Sequence, residues 1–211
     1  MPINWPPEGH TEPKKYERSE RGVFAVMLVL IGIFGVTTYQ PIATGTETYV
    51  LLWVDFAASI GLSALPAVFG GVAIFAGGLF VLFRRVVTPI HERIHYEVAR
   101  QLDLNPDYGY EEMWFHKNPR VIALSTGISV GENMAMLIAP FVGIGLLSVG
   151  VLLVSNGLVA GVAAIVLWVN SASSAQDLYH YLRLLRMDPE TKFANFERDG
   201  EIRTEYVVPE Q

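Results

Sequence analysis

The sequence predicts an all-α membrane protein: four transmembrane helices, a polar helix on the cytoplasmic side and a small β-hairpin near the C-terminus. Three observations predict it. Of 211 residues, 51% are hydrophobic and only 17% charged, against about 25% charged in an average soluble domain. The apolar residues are gathered into runs approaching the roughly 20 residues that cross a bilayer's hydrocarbon. All 15 Lys and Arg fall on one face of the resulting map. The same composition argues against disorder. A net charge of −6 offers no general attraction to phosphate, so nucleic acid is not expected as a partner. With 0 Cys there is no disulfide framework, thiolate metal site or cysteine nucleophile.

The elements follow in order. Residues 1–22 form a polar cytoplasmic lead, too long and too acidic for a cleaved signal peptide, so an uncleaved anchor is expected. The first span runs from Val23 to about Tyr39. The apolar stretch Tyr49–Phe83 is too long for one span and contains Asp55 and Pro66. The second span is therefore placed at about Leu65–Phe83, with Tyr49–Leu62 as an interfacial or re-entrant segment of an outer loop, Gln40–Ala64. A third span, Met134–Val154, is joined through Ser155-Asn156 to a fourth, Gly157–Val169 or slightly beyond; Asn156-Gly157 is a tight-turn signal. This map puts no Lys or Arg in the outer loops, so both termini are expected in the cytoplasm of a multi-pass cell-membrane protein. The membrane domain is read as 23–183 and the cytoplasmic tail as 184–211.

Between the second and third spans, Thr88-Pro89 supplies a cap and a first-turn proline for a new helix at about 89–102, which an Asn105-Pro106 break then ends. An aromatic loop follows, Tyr108–Phe115, whose Tyr108, Tyr110, Trp114 and Phe115 read as an interfacial anchor or a substrate groove. Periodicity does not assign Val121–Asn133. In the tail, Asp199-Gly200 between two β-rich runs signals a hairpin. Gly70-Gly71 and Gly77-Gly78 read as close-packing points between helices. Asn133 and Asn170, costly against lipid, read as helix glue or as donors to a ligand, and Asp55 and Glu132 should likewise face protein or water.

The chemistry concentrates at His91-Glu92-Arg93-Ile94-His95, a complete H-E-x-x-H. On a helix, residues i and i+4 share a face, so His91 and His95 can offer two imidazole nitrogens to one metal, with Glu92 placed to take a proton from water. By chance the pattern occurs in roughly one chain of this length in a few hundred. A catalytic Zn2+ site needs a third protein ligand. Asp177 emerges beside the motif at the end of the fourth span; His180, His116, Glu97 and Glu112 are the other candidates. His180 shares a helical face with Asp177 and can support it. His10 reads as a solvated residue of a flexible, proline-rich lead.

At this point the chain resembles a family. His91–His95 after an apolar helix, then Leu137-Ile138-Ala139-Pro140-Phe141, then Gln176-Asp177-Leu178 after the last span, is similar to the prokaryotic membrane family described as "putative zincin peptidases". That family is similar in logic to the site-2 proteases, whose third zinc ligand is also a late aspartate. The resemblance covers about residues 70–195. It implies a zinc metallopeptidase with His91, His95 and Asp177 on the metal and Glu92 as base, acting on a membrane-associated protein or peptide. Here the late aspartate is followed by Leu178 rather than the glycine usual in site-2 proteases, and Pro89 puts the metal at the cytoplasmic interface, which counts against cleavage deep in the bilayer.

Two other classes compete. Glu92-x-x-His95 and Asp177-x-x-His180 have the carboxylate-x-x-His spacing of di-iron oxidoreductases, with Glu97, Glu112 or Glu132 as bridges, although this leaves His91 unused. A non-catalytic membrane scaffold retaining an old metal site is the third.

Overall fold

A computed structural model describes residues 5–17, 19–113, 116–198 and 201–210; the side chains of 111–113, 116–118, 198 and 201 lie outside the description. Helix dominates: α1 Glu20–Ser59, α2 Ala64–Leu82, α3 Thr88–Gln101, α4 Val130–Val154, α5 Gly157–Ser173 and α6 Ala175–Leu184. Among the described residues, six strands accompany them: β1 Lys14–Lys15, β2 Pro106–Met113, β3 His116–Ala123, β4 Thr126–Ser129, β5 Lys192–Arg198 and β6 Glu201–Val207. Among the described residues, three helices are long and apolar enough to cross a membrane, and up to four if the bent pair α5 and α6 counts as one. The chain divides into two compact units, Met27–Ile90 with Phe141–Ser173, and Met1–Val26 with His91–Pro140 and Ser174–Gln211.

In the first of these units the expected outer loop does not exist: α1 is one helix of 40 residues. At 1.5 Å per residue it is about 60 Å long, twice the hydrocarbon thickness. Polar residues at 40–48 interrupt the apolar run, and the helix absorbs the threonines among and before them. The hydroxyls of Thr37, Thr38, Thr46 and Thr48 donate to the carbonyls of Ile33, Phe34, Ile42 and Thr44, each one turn back. Gly45 of α1 lies against Gly161 of α5, where an added Cβ would come within 2.7 Å of the partner Cα. Of the four α2 glycines singled out above, only Gly71 makes a close contact, under the Trp53 ring. Asn170 lies buried in α5.

No new helix starts at Thr88. The chain passes from α2 into α3 through a π-helical turn, Phe83–Val87, in which the Thr88 amide donates to the Phe83 carbonyl five residues back. A proline clashes with the carbonyl four residues before it. Widening the preceding turn accommodates Pro89 without breaking the helix.

The second unit holds the strands, so the all-α expectation is too narrow. The aromatic segment is not a loop: β2 and β3 pair antiparallel from Pro106 opposite Ala123 to Met113 opposite His116, with Trp114 and Phe115 outside the described residues. β5 and β6 form the expected C-terminal hairpin, whose turn residues Asp199-Gly200 also lie outside the description. That hairpin is the centre of a four-stranded antiparallel sheet, β1-β6-β5-β4. A register shift between Thr126 and Ile128 in β4 is absorbed by Gly127 at φ +77°. The N-terminal lead is tied to the sheet rather than solvated: Trp5 is buried against Ala194 and Val207, and His10 bridges Pro209.

This unit's core is Ala99, Leu104, Ala123, Ile128, Val130, Met136, Leu184 and Phe193. It draws on α3, β3, β4, α4, α6 and β5, and so fixes α3, α4 and α6 to one another. At the base of α4, Ser129 and Glu132 form a capping box: the Glu132 carboxylate accepts from the Ser129 amide and hydroxyl, and the Ser129 hydroxyl accepts from the Glu132 amide.

Candidate metal centre

On α3, residues 91, 95 and 99 succeed one another on a single face, which the core demands because Ala99 is wholly buried. Arg93, Glu97 and Arg100 take the outer face, where Glu97 pairs with both arginines. The inward face therefore carries His91 and His95, and α6, anchored in the same core by Leu184, brings Asp177 to them.

The geometry is close. His91 Nε2 lies 3.2 Å from Asp177 Oδ2, His95 Nε2 lies 3.4 Å from the same oxygen, and the two Nε2 atoms are 3.2 Å apart. All three side chains are mostly withdrawn from solvent, at 11%, 10% and 18% exposure. His95 Nδ1 lies 2.9 Å from the Met136 carbonyl oxygen. A carbonyl only accepts, so Nδ1 carries the hydrogen and the neutral ring turns the Nε2 lone pair toward His91 and Asp177. Two imidazole nitrogens and a carboxylate oxygen thus crowd one point that a shared proton or a cation must occupy. Two nitrogens and one oxygen are a donor set that zinc accepts, with a position left open. The residues fit the metal.

Glu92 adjoins this point without joining it. Burial raises its carboxyl pKa, against the lowering influence of His95, His91 and the hydrogen bond from the Val121 backbone. A raised carboxylate is the form a general base takes. Tyr108, on β2, feels the charges of both Glu92 and Arg93. Asp177 behaves oppositely: burial pushes its pKa up, but hydrogen bonds from His91 and His95, and their charges, outweigh that and bring it to about 2. For His95, burial opposes the charged ring, yet the Asp177 hydrogen bond and charge, with Glu92 and the Met136 carbonyl, raise its pKa above 6.5.

This has a sign that can be checked. A cation entering the centre must displace the proton that His95 holds to higher pH than usual. Apparent zinc affinity is therefore expected to weaken as pH falls through that raised pKa and to level off above it. Titration calorimetry from mildly acidic to mildly alkaline buffer measures this, and a flat profile would contradict it.

The remaining candidates whose side chains are described have other partners or positions. His180 Nδ1 lies 3.1 Å from the Tyr16 hydroxyl, with the Arg183 guanidinium over the Tyr16 ring. Asn133 is half-buried in the first turn of α4. The side chains of His116 and Glu112 lie outside the described residues. Among the described residues, the candidate bridging carboxylates of a di-iron site are engaged elsewhere, Glu97 by arginines and Glu132 by its cap. Among the described residues, His91, His95 and Asp177 are the group able to hold a metal. The Met136 carbonyl and the Val121 amide, both backbone groups, carry no side-chain signal in the sequence.

Compared with known proteins, the chain has no match among curated proteins or solved structures. A family model does match, over residues 85–192, a stretch that contains all three metal-binding candidates and just over half of the chain. The chain belongs to the family described as "Putative zincin peptidase".

Proposed function

We propose that this protein is a membrane-embedded zinc metallopeptidase that hydrolyses a membrane or membrane-proximal protein at the cytoplasmic interface. The observation that carries the proposal is the convergence of His91 Nε2, His95 Nε2 and Asp177 Oδ2 on one point beside a half-buried Glu92. His91, His95 and Asp177 hold the metal. Zinc bound there supplies Lewis-acid polarisation of a peptide carbonyl and lowers the pKa of water. Glu92, kept basic by burial, takes the proton of the attacking water and later delivers it to the leaving amine. Asp177 contributes charge to hold the cation, and the Met136 carbonyl holds the His95 ring in the tautomer that ligation needs. Elemental analysis of the purified protein for one zinc per chain, with a peptidase assay run with and without chelator, tests the reading. One zinc with no chelator-sensitive proteolysis would leave only the scaffold; two irons would favour the oxidoreductase.

The topology proposed with it has four spans. They are α1, α2, α4 and α5, with the lead 1–22 and tail 184–211 both cytoplasmic, as all 15 Lys and Arg suggest. Single cysteines at Ser63, in the α1–α2 connection, and at Glu190 are expected to label from opposite sides, Glu190 from the cytoplasm. Labelling of both from one side would sink the arrangement. Cleavage is assigned to the interface because α3, which carries the motif, is polar and follows an apolar α2. The late aspartate is what supports a likeness in logic to the site-2 proteases.

A further inference from the structure

The element Ala139-Pro140-Phe141 has no role in the chemistry above, and Pro140 sits in the middle of α4. A helix-interior proline removes the hydrogen bond from its own position to the carbonyl four residues earlier and pushes that carbonyl aside. Four residues before Pro140 is Met136. Its carbonyl is the one His95 Nδ1 approaches to 2.9 Å. In an uninterrupted helix that oxygen would be taken by the amide of residue 140 and hemmed in by the following turn.

We infer that Pro140 is a positioning residue for the metal centre: it frees the Met136 carbonyl to accept from His95 Nδ1, which turns the Nε2 lone pair onto the metal. Three observations meet here. The spacing is the one at which a proline vacates a carbonyl. The bond is between buried groups, since His95 is 8% exposed and Met136 likewise 8%. His95 Nε2, on the opposite side of the ring, faces His91 and Asp177. Were the carbonyl closed, the ring would lose its one fixed partner on the Nδ1 side. Its neutral form would then divide between two tautomers, one of which presents a hydrogen, not a lone pair, to the metal. The inference deepens the metallopeptidase reading and rests on it where zinc is concerned; the tautomer does not depend on zinc.

The test compares the full-length parent with Pro140→Ala, which restores the amide. Restoring a helical hydrogen bond and a good helix former should leave the melting temperature of the metal-free protein unchanged or higher. Zinc affinity measured by chelator competition should nonetheless fall about 10- to 100-fold, the usual cost of losing a partner behind a ligand. The visible spectrum of the cobalt-substituted protein should change with it. A merely structural proline would instead lower stability and leave the cobalt spectrum alone. Parent-like zinc affinity together with a parent-like cobalt spectrum in Pro140→Ala overturns the inference. A second measurement needs no variant: nitrogen-15 shifts of the metal-free parent above the His95 pKa should show the ring protonated at Nδ1. Protonation at Nε2 overturns the inference even if Pro140→Ala proves insoluble. A parent that takes up no zinc yet shows the Nδ1–H tautomer, lost in Pro140→Ala, would overturn the metal reading and uphold the helix argument.

Discussion

Asp177→Ala is expected to abolish peptidase activity and to weaken zinc binding by more than the 10- to 100-fold that follows loss of an outer-shell partner. The reason is electrostatic as well as geometric. Asp177 is the only carboxylate among the three converging side chains, and its oxygen lies 3.2 Å and 3.4 Å from the two imidazole nitrogens. Removing it leaves two neutral rings to hold a divalent cation in a mostly buried site. Asp177→Asn separates charge from shape, since the amide oxygen can still reach the metal, and should fall between Ala and the parent. His180→Ala is the discriminating control. His180 faces Tyr16, so its loss should cost far less zinc than the loss of Asp177. If His180→Ala emptied the site while Asp177→Ala bound zinc like the parent, the ligand set would be wrong at its most diagnostic member.

Glu92→Gln should do the reverse: keep most of the zinc and lose nearly all activity. A general base contributes about 10²- to 10⁴-fold, and the amide cannot accept the water's proton. The substitution is nearly isosteric and removes a carboxylate whose burial raises its pKa, so no loss of fold is expected. Zinc stoichiometry and turnover measured on the same preparation check it. Full activity would remove Glu92 from the chemistry; an empty site would make it a ligand.

Much of the centre was legible in the sequence because its warrant is local or topological. His91 and His95 lie one turn apart, a relation that helical periodicity shows directly. Span parity was the reason to expect Asp177 beside them, and α6 brings it there. What stayed hidden was carried by backbone groups or by the context of single residues. Nothing in the letters Met136 or Val121 announces a carbonyl or an amide aimed at a side chain. Pro140 was visible, but its meaning depends on which imidazole stands opposite the carbonyl it vacates. The errors in the fold have similar causes. Residues 40–48 were left in an outer loop because they interrupt the apolar runs; within α1 the hydroxyls of Thr46 and Thr48 satisfy themselves against carbonyls one turn back. The β2–β3 hairpin was missed because its aromatic residues suit an interfacial loop as well as a strand.

The separation of the two ligand segments bears on how the protein is made. His91 and Asp177 are 86 residues apart, and α4 and α5 are synthesised between them. At ribosomal speeds of about 5–20 residues per second, a nascent chain displays the His–Glu–His helix for about 4–17 seconds before the aspartate exists. During that interval the proposed centre lacks its only charged ligand. If the proposed ligand set is right, the growing polypeptide has no complete metal centre until α4 and α5 have been made. On the peptidase reading, translation order would do the work of a removable pro-segment.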